Sequence, residues 1–132
     1  MKLDLLLHKV DVLDIIGDTN ITISNIQLDS RKISKDEMFI ALAGTQKSGD
    51  EFIKSAIKNG AKAIVCHNIP SNYYENITYI LVNDSSNALS IISNNFYDFP
   101  SEKLEIVGVT GTNGKTSIVS LLHQLFSIRG YK

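Results

Sequence analysis

Hydrophobic positions recur along the chain at spacings that predict alternating helices and strands. They follow helical spacing through residues 3–13, which predicts an N-terminal helix ended by Gly17 and Asp18. In residues 21–28 they follow a two-residue period broken once, which predicts two short strands or one irregular strand. Compact apolar runs then follow, and they predict buried strands at residues 38–44, 61–66 and 79–82.

Two of the intervening segments carry helix signals. Ser48 and Glu51 have the spacing of a capping box, and Gly60 follows the apolar face of that segment as a C-terminal cap. Further on, Ser85 or Ser86 is suited to cap a second helix. The order strand, helix, strand, loop, strand predicts an α/β fold.

The pattern changes near residue 84, which predicts a domain boundary there. Residues 1–83 are predicted to form a small N-terminal domain, and residues 84–132 the truncated start of a second one. After a break at Pro100, residues 104–110 form an apolar run that predicts a strand. A glycine-rich loop and a helix follow it, so the second domain begins with the strand, loop and helix of a nucleotide-binding fold. A lone parallel strand has no neighbours to satisfy its backbone groups.

The glycine-rich loop lies within "VGVTGTNGKTS", residues 107–117. Gly111 and Gly114 lack a Cβ, so the backbone can turn tightly and direct N–H groups at phosphate oxygens. Lys115 adds a positive charge, and the hydroxyl of Thr116 is suited to bind Mg²⁺. Val109 stands where the usual phosphate-binding loop has glycine, so the match is to a variant. The alternative is a glycine-rich turn without a ligand.

Composition limits the classes of function. The chain has 132 residues and is 43% hydrophobic, enough for an ordinary core. Its formal net charge of −1 provides no field that would attract nucleic acid or an anionic membrane, and we expect neither partner. A single cysteine, Cys66, excludes an internal disulfide, and charged residues interrupt the apolar start of the chain. These features favour a cytoplasmic protein.

The motif "TGTNGKTS" after an apolar strand resembles the ATP loop of the Mur ligases, the amide-forming enzymes of peptidoglycan precursor synthesis. "LDSRKISKDEMFIALAG" resembles their segment of Asp-Ser-Arg, a turn and a strand, and "FIKSAIKNGAKAIV" resembles their next helix and strand. The resemblance covers essentially the whole chain. Within the family it is strongest to the members that add the third residue to UDP-N-acetylmuramoyl-L-alanyl-D-glutamate. The members that add D-alanyl-D-alanine are the alternative.

The resemblance implies two binding sites. In the N-terminal domain it implies contacts with the UDP moiety by Leu28, Ser30, Thr45, Gln46 and Lys47. In the second domain it implies contacts with ATP by Gly111, Thr112, Asn113, Gly114, Lys115, Thr116 and Ser117, with Lys115 and Thr116 catalytic and Thr116 on Mg²⁺. The chain departs from the family at Ser48, where relatives tend to have Asp before glycine, and at Thr45, where histidine is frequent.

The resemblance also implies the reaction and its partners. ATP phosphorylates a carboxylate of the UDP-N-acetylmuramoyl-dipeptide, and the amine of an incoming amino acid, meso-diaminopimelate or lysine, displaces the phosphate. Further metal ligands and the domain that selects the amino acid belong to the family but not to these 132 residues. We therefore expect a fragment or truncated product that is inactive alone. The alternative is a non-catalytic remnant that still binds a UDP-sugar or phosphate.

Overall fold

The computed structural model describes residues 1–43 and 48–131, which form two compact units, Met1–Pro100 and Ser101–Lys132. The first unit is built on a five-stranded sheet in the order β1-β5-β4-β3-β2. Its strands are β1 (Val12–Ile16), β2 (Ile26–Gln27), β3 (Glu37–Ile40), β4 (Ala61–Cys66) and β5 (Thr78–Val82). Strands β2 to β5 pair in parallel, whereas β1 is antiparallel to β5. The predicted α/β fold is confirmed for this unit.

Helices cover both faces of the sheet. In this unit they are α1 (Leu3–Leu6), α2 (Ile53–Asn59) and α3 (Ser85–Phe96), and a 3₁₀ turn at Gly49–Phe52 leads into α2. Met38 and Ile40 pack with α1 and α3, whereas Phe39 and Ala41 pack with α2 on the other face. Strand β3 is therefore buried on both sides, which explains its uninterrupted apolar run.

The start of the chain differs from its prediction. The helix ends at Leu6, where the sequence pattern predicted it to continue to residue 13, and Val12–Ile16 form β1 instead. Lys9, with a φ of 64°, turns the chain between the two elements. Three of the five residues of β1 are β-branched, and pairing with β5 decides their conformation. In residues 21–28, only Ile26–Gln27 form a strand, and Thr22 makes an isolated bridge to Lys2.

The caps of two helices are resolved in detail. Gly60 ends α2 with a φ of 112°, as predicted. Helix α3 is capped by Asp84, whose carboxylate accepts from the N–H groups of Ser86 and Asn87, and not by either predicted serine. The Ser48 hydroxyl accepts from the N–H of Asp50 at the start of the 3₁₀ turn.

The compact units divide after Pro100, whereas the sequence predicted a boundary between residues 83 and 84. Helix α3 lies in the first unit because Ala88 and Ile92 pack into the same cluster as residues of α1 and β3. Asn95 joins α3 to α1 as well, since its side-chain amide donates to the carbonyl oxygens of Leu6 and His8.

The second unit contains α4 (Lys115–Ile128), and Gly130 follows it with a φ of 87°. This helix agrees with its prediction. Residues 104–110, which the sequence predicted as a strand, form none within the described part of the chain. Leu104, Ile106 and Val107 are exposed, and so are most of the apolar side chains of α4.

Candidate functional site

A cavity of about 650 Å³ opens in the first unit where β2 ends. Its lining comes from the turn after β2, from the 3₁₀ turn and from α2: Leu28, Asp29, Ser30, Arg31, Phe52 and Ser55. The turn after β2 and the start of α2 follow the carboxyl ends of neighbouring parallel strands, which meet at one edge of the sheet. Ligands of open α/β sheets bind at this edge.

The turn after β2 is fixed by an ion pair. The Asp29 carboxylate accepts from Nε of Arg31 at 2.9 Å and from its terminal nitrogen at 2.8 Å. It also accepts from the backbone N–H of Arg31 at 3.0 Å. The side-chain hydrogen bond with Arg31 is the largest cause that lowers the pKa of Asp29 to about 2. The carboxylate is therefore ionised throughout the neutral range, and the guanidinium stays charged beside the cavity.

The two residues predicted here for the UDP moiety come together in this cavity. Leu28 is 46% exposed, so its side chain offers an apolar contact to a ligand, whereas Ser30 is only 5% exposed. The carbonyl oxygen of Ser30 accepts from the side-chain amide of Asn59, the last residue of α2, at 2.8 Å. Ser30 thus has a defined position between the turn and α2.

The other three predicted UDP contacts, Thr45, Gln46 and Lys47, lie outside the described residues. The residues on either side, Ala43 and Ser48, form an isolated antiparallel bridge. The N–H of Gly49 donates to the carbonyl oxygen of Leu42 at 2.8 Å. Residues 42–43 and residues 48–49 therefore lie side by side.

Sequence reasoning missed four residues of this cavity: Asp29, Arg31, Phe52 and Ser55. For Asp29 and Arg31 the sequence did contain a signal, because these opposite charges stand on either side of Ser30 in the motif Asp-Ser-Arg. Phe52 and Ser55 gave no such signal, because the apolar pattern of residues 52–57 does not reveal which side chains face the turn after β2.

The glycine-rich loop of the second unit leads directly into α4. Gly111 has a φ of 144° and Gly114 a φ of 77°, in the region where glycine is favoured. Gly114 is the N-cap of α4, and a Cβ built on it would meet no atom within 4 Å. The first turn of α4 is exposed, and the N–H groups at such a helix N-terminus are suited to bind an anion.

Lys115 extends back over this loop. Its ammonium donates to the carbonyl oxygen of Gly111, and a second contact reaches that of Thr112 at 3.5 Å. Thr116 and Ser117 lie in the exposed first turn of α4, and Asn113 is exposed in the loop. The seven residues predicted for ATP thus form one exposed group.

Neither a cluster of metal ligands nor a membrane-spanning helix occurs among the described residues. Among residues 1–43 and 48–131, no group of three or more His, Cys, Asp or Glu side chains is arranged to hold a metal ion. Within the same ranges, no helix has the length and apolar character needed to cross a membrane.

Comparison with known proteins gives a family and several relatives. The profile described as "Mur ligase family, catalytic domain" matches residues 22–97. The UDP-N-acetylmuramoyl-L-alanyl-D-glutamate--2,6-diaminopimelate ligase of Phocaeicola vulgatus is 46% identical over 132 residues, which are 100% of this chain and 27% of that protein. The chain therefore spans about a quarter of the length of the curated relatives it matches.

Solved structures show the same fold. One UDP-N-acetylmuramoyl-L-alanyl-D-glutamate--2,6-diaminopimelate ligase matches with a TM-score of 0.67 at 23% identity, over 98% of this chain and 26% of that one. The MurF ligase of Thermotoga maritima, solved in complex with ADP, matches with a TM-score of 0.53 at 29% identity, over 70% of this chain and 20% of that one.

Proposed function

This chain belongs to the Mur ligase family, and on that basis we propose that it is the N-terminal part of an ATP-dependent amide ligase. The ligase adds the third amino acid, meso-diaminopimelate or lysine, to UDP-N-acetylmuramoyl-L-alanyl-D-glutamate. The observation that carries the proposal is the 46% identity over the whole chain to a ligase named for 2,6-diaminopimelate.

The first unit holds the UDP end of the substrate in the cavity after β2. Leu28 offers an apolar surface to the uracil ring, and the hydroxyl of Ser30 offers a hydrogen bond to the uridine. The contact with the diphosphate is assigned to Lys47, and further contacts with the UDP moiety to Thr45 and Gln46, three residues outside the described part of the chain. Arg31 adds a second cation at the cavity, since its guanidinium has more donors than Asp29 occupies.

The second unit holds ATP at the loop before α4. The N–H groups of the exposed loop and first turn bind phosphate oxygens, for which the open space at Gly114 leaves room. Lys115 exchanges its bonds to loop carbonyls for bonds to the phosphates. The exposed hydroxyl of Thr116 suits Mg²⁺, which prefers oxygen ligands and supplies positive charge beside the phosphates when bound.

The proposed reaction uses the UDP-linked substrate of the first site and the ATP of the second. The carboxylate oxygen of the substrate takes the γ-phosphoryl group from ATP, which leaves as ADP. The amine of the incoming amino acid then attacks the acyl carbon and expels phosphate, and the amide forms with loss of a proton. Lys115 lowers the barrier to the first step because its charge offsets the charge of the transferring group.

Binding of UDP-N-acetylmuramoyl-L-alanyl-D-glutamate to the 132-residue chain tests the first site. We expect Ser30→Ala to weaken binding about three- to tenfold through loss of one hydrogen bond. The control Ser34→Ala changes an exposed serine away from the cavity and should bind as the original chain does. Titration followed by NMR gives both constants. A folded first unit that does not bind this substrate would refute the proposed site.

The second site is tested in a full-length ligase that begins with this chain. We expect Lys115→Ala to lower turnover about 100-fold or more while binding of the UDP-linked substrate persists. Lys58→Ala, which removes an exposed lysine of α2, serves as the charge-matched control. Phosphate release with meso-diaminopimelate, L-lysine or D-alanyl-D-alanine identifies the amine. Release with D-alanyl-D-alanine alone would favour the sister ligase, and release with none of the three would favour a non-catalytic remnant.

A further inference from the structure

Phe52 is a partly exposed aromatic residue at the cavity after β2. It is 42% exposed, whereas Ile53, the next residue, is 2% exposed and packs into the core. Leu28, on the turn after β2, is 46% exposed and lines the same cavity. A single exposed apolar side chain is ordinary, but two in one cavity offer an apolar surface that a ligand can cover.

The backbone around Phe52 is held on both sides. Phe52 is the last residue of the 3₁₀ turn and the N-cap of α2. Before it, the carboxylate of Asp50 accepts from the backbone N–H of His67 and from the side-chain amide of Asn68, both at 3.3 Å. After it, Ile53 is buried. The aromatic ring therefore extends from an ordered backbone, which limits the entropy lost when a ligand binds against it.

One face of α2 and its N-cap meets the turn after β2. Phe52, Ser55 and Asn59 recur at spacings of three and four residues, which places them on the same side of the helix. Phe52 and Ser55 line the cavity, and the side-chain amide of Asn59 donates to the carbonyl oxygen of Ser30 at 2.8 Å. The half-buried Ser55 has a hydroxyl that can donate or accept a hydrogen bond. An aromatic ring beside a hydrogen-bonding group suits a nucleobase.

We propose that the uracil ring of the UDP-linked substrate stacks on Phe52 and is bounded on its other face by Leu28. The hydroxyl of Ser55 bonds to a polar edge of the base. This inference rests on the proposed function, which assigns the UDP end of the substrate to this cavity, and it adds two contacts from the α2 side. A planar ring between an aromatic and an aliphatic side chain loses water from both of its faces, which favours binding.

The test uses matched variants of the 132-residue chain. Phe52→Ala removes the ring, Phe52→Leu keeps an apolar side chain without a ring, and Phe52→Tyr keeps the ring. Their control, Tyr74→Ala, removes an aromatic ring that is 52% exposed outside the cavity. Ser55→Ala is matched by Ser90→Ala, which removes an exposed hydroxyl from α3. Calorimetry measures the Kd of UDP-N-acetylmuramoyl-L-alanyl-D-glutamate and of UDP, and urea unfolding measures stability.

We expect Phe52→Ala and Phe52→Leu to raise the Kd of both ligands about fivefold or more, because both ligands carry the base. Ser55→Ala should raise it about three- to tenfold through loss of one hydrogen bond. Phe52→Tyr, Tyr74→Ala and Ser90→Ala should leave it unchanged. In the original chain, nuclear Overhauser effects should join the ring protons of Phe52 to H5 and H6 of uracil, which a purely structural role would not produce.

Unchanged affinity in Phe52→Ala, or a rise confined to the longer ligand, overturns stacking on the base while the proposed function stands. Equal affinity in Phe52→Leu and Phe52→Tyr also overturns it, because an apolar contact without a ring would then suffice. Unchanged affinity in Ser55→Ala overturns the hydrogen bond assigned to that residue. Failure of the original chain to bind either ligand refutes the proposed function and the inference together.

Discussion

Helices α3 and α4 have comparable length and amphipathic sequences, yet they meet different surroundings. Helix α3 buries Ala88 and Ile92 against α1 and the sheet, whereas no described residue of α4 is buried. The sheet in the first unit has five paired strands, whereas residues 104–110, before α4, form no strand in the described second unit. A helical pattern therefore predicts the helix but not its burial, which depends on a sheet being present.

The turn after β2 and the loop before α4 also differ in how far the rest of their unit supports them. The turn after β2 is supported by α2 and by the Asp29–Arg31 ion pair, and it lines a defined cavity. The loop before α4 is held by contacts among its own residues, with Lys115 bonded to carbonyl groups of the loop. Precise ligand geometry requires rigid support. We therefore expect the first site to bind its ligand in this chain more tightly than the second.

The largest expected difference in the free energy of unfolding comes from replacing isoleucine by alanine in α3 and in α4. Ile92→Ala removes a side chain that is 0% exposed, and we expect it to lower the free energy of unfolding by about 2–5 kcal/mol. Ile118→Ala changes a side chain that is 46% exposed, and we expect a change within about 0.5 kcal/mol. Urea unfolding of the 132-residue chain, followed by circular dichroism, measures both. Equal losses would show that α4 packs as tightly as α3.

A smaller difference is expected between two glycines. Gly49→Ala forces a Cβ against the backbone of Leu42, and we expect a loss of about 1–3 kcal/mol in the free energy of unfolding. Gly108→Ala places the same methyl group where no atom lies within 4 Å, and the change should stay within about 0.5 kcal/mol. The same unfolding experiment measures the pair. A stable Gly49→Ala variant would contradict the close packing of residues 42 and 49.

The smallest expected effect concerns Arg31, the cation in the turn after β2. Arg31 lowers the pKa of Asp29 to about 2, so Arg31→Ala should raise that pKa toward its ordinary value of 3.8. Because the folded-state pKa is lowered, the pair stabilises the fold above pH 3.8, and this contribution is lost as the pH falls toward about 2. NMR titration of the Asp29 carboxyl carbon measures the shift. An unchanged pKa in Arg31→Ala would contradict the ion pair, and Lys35→Ala serves as the control.

Local signals in the sequence predicted much of the first unit. Strands β3, β4 and β5, helix α2 and the cap at Gly60 follow from apolar runs and from one glycine. Strand β1 was missed because its residues also fit a helical period, and its partner, β5, lies far along the chain. The strand predicted before α4 did not form, because an apolar run needs a paired neighbour to become a strand.

How well the sequence predicts each candidate site depends on how close together in the sequence its residues are. Gly111, Gly114 and Lys115 are close in sequence, and the structure brings them together as one loop. Leu28 and Ser30 share a cavity, but Phe52 and Ser55 reach it through the crossover from β3 to α2. No short sequence motif encodes the contact between residues 28–30 and residues 52–55, which are far apart in the chain. The substrate roles of all these residues remain predictions.

The antiparallel pairing of β1 with β5 has a consequence for the order in which the protein acquires its structure. Strands β2 to β5 can assemble progressively as the chain leaves the ribosome, but β1 must wait for a partner that is made last. Thr78, at the start of β5, also bonds through its hydroxyl to the carbonyl oxygen of Asp18, sixty residues away. Such distant contacts carry the largest loop-closure cost. The first strand to be synthesised is therefore expected to be the last to gain protection in pulsed hydrogen exchange.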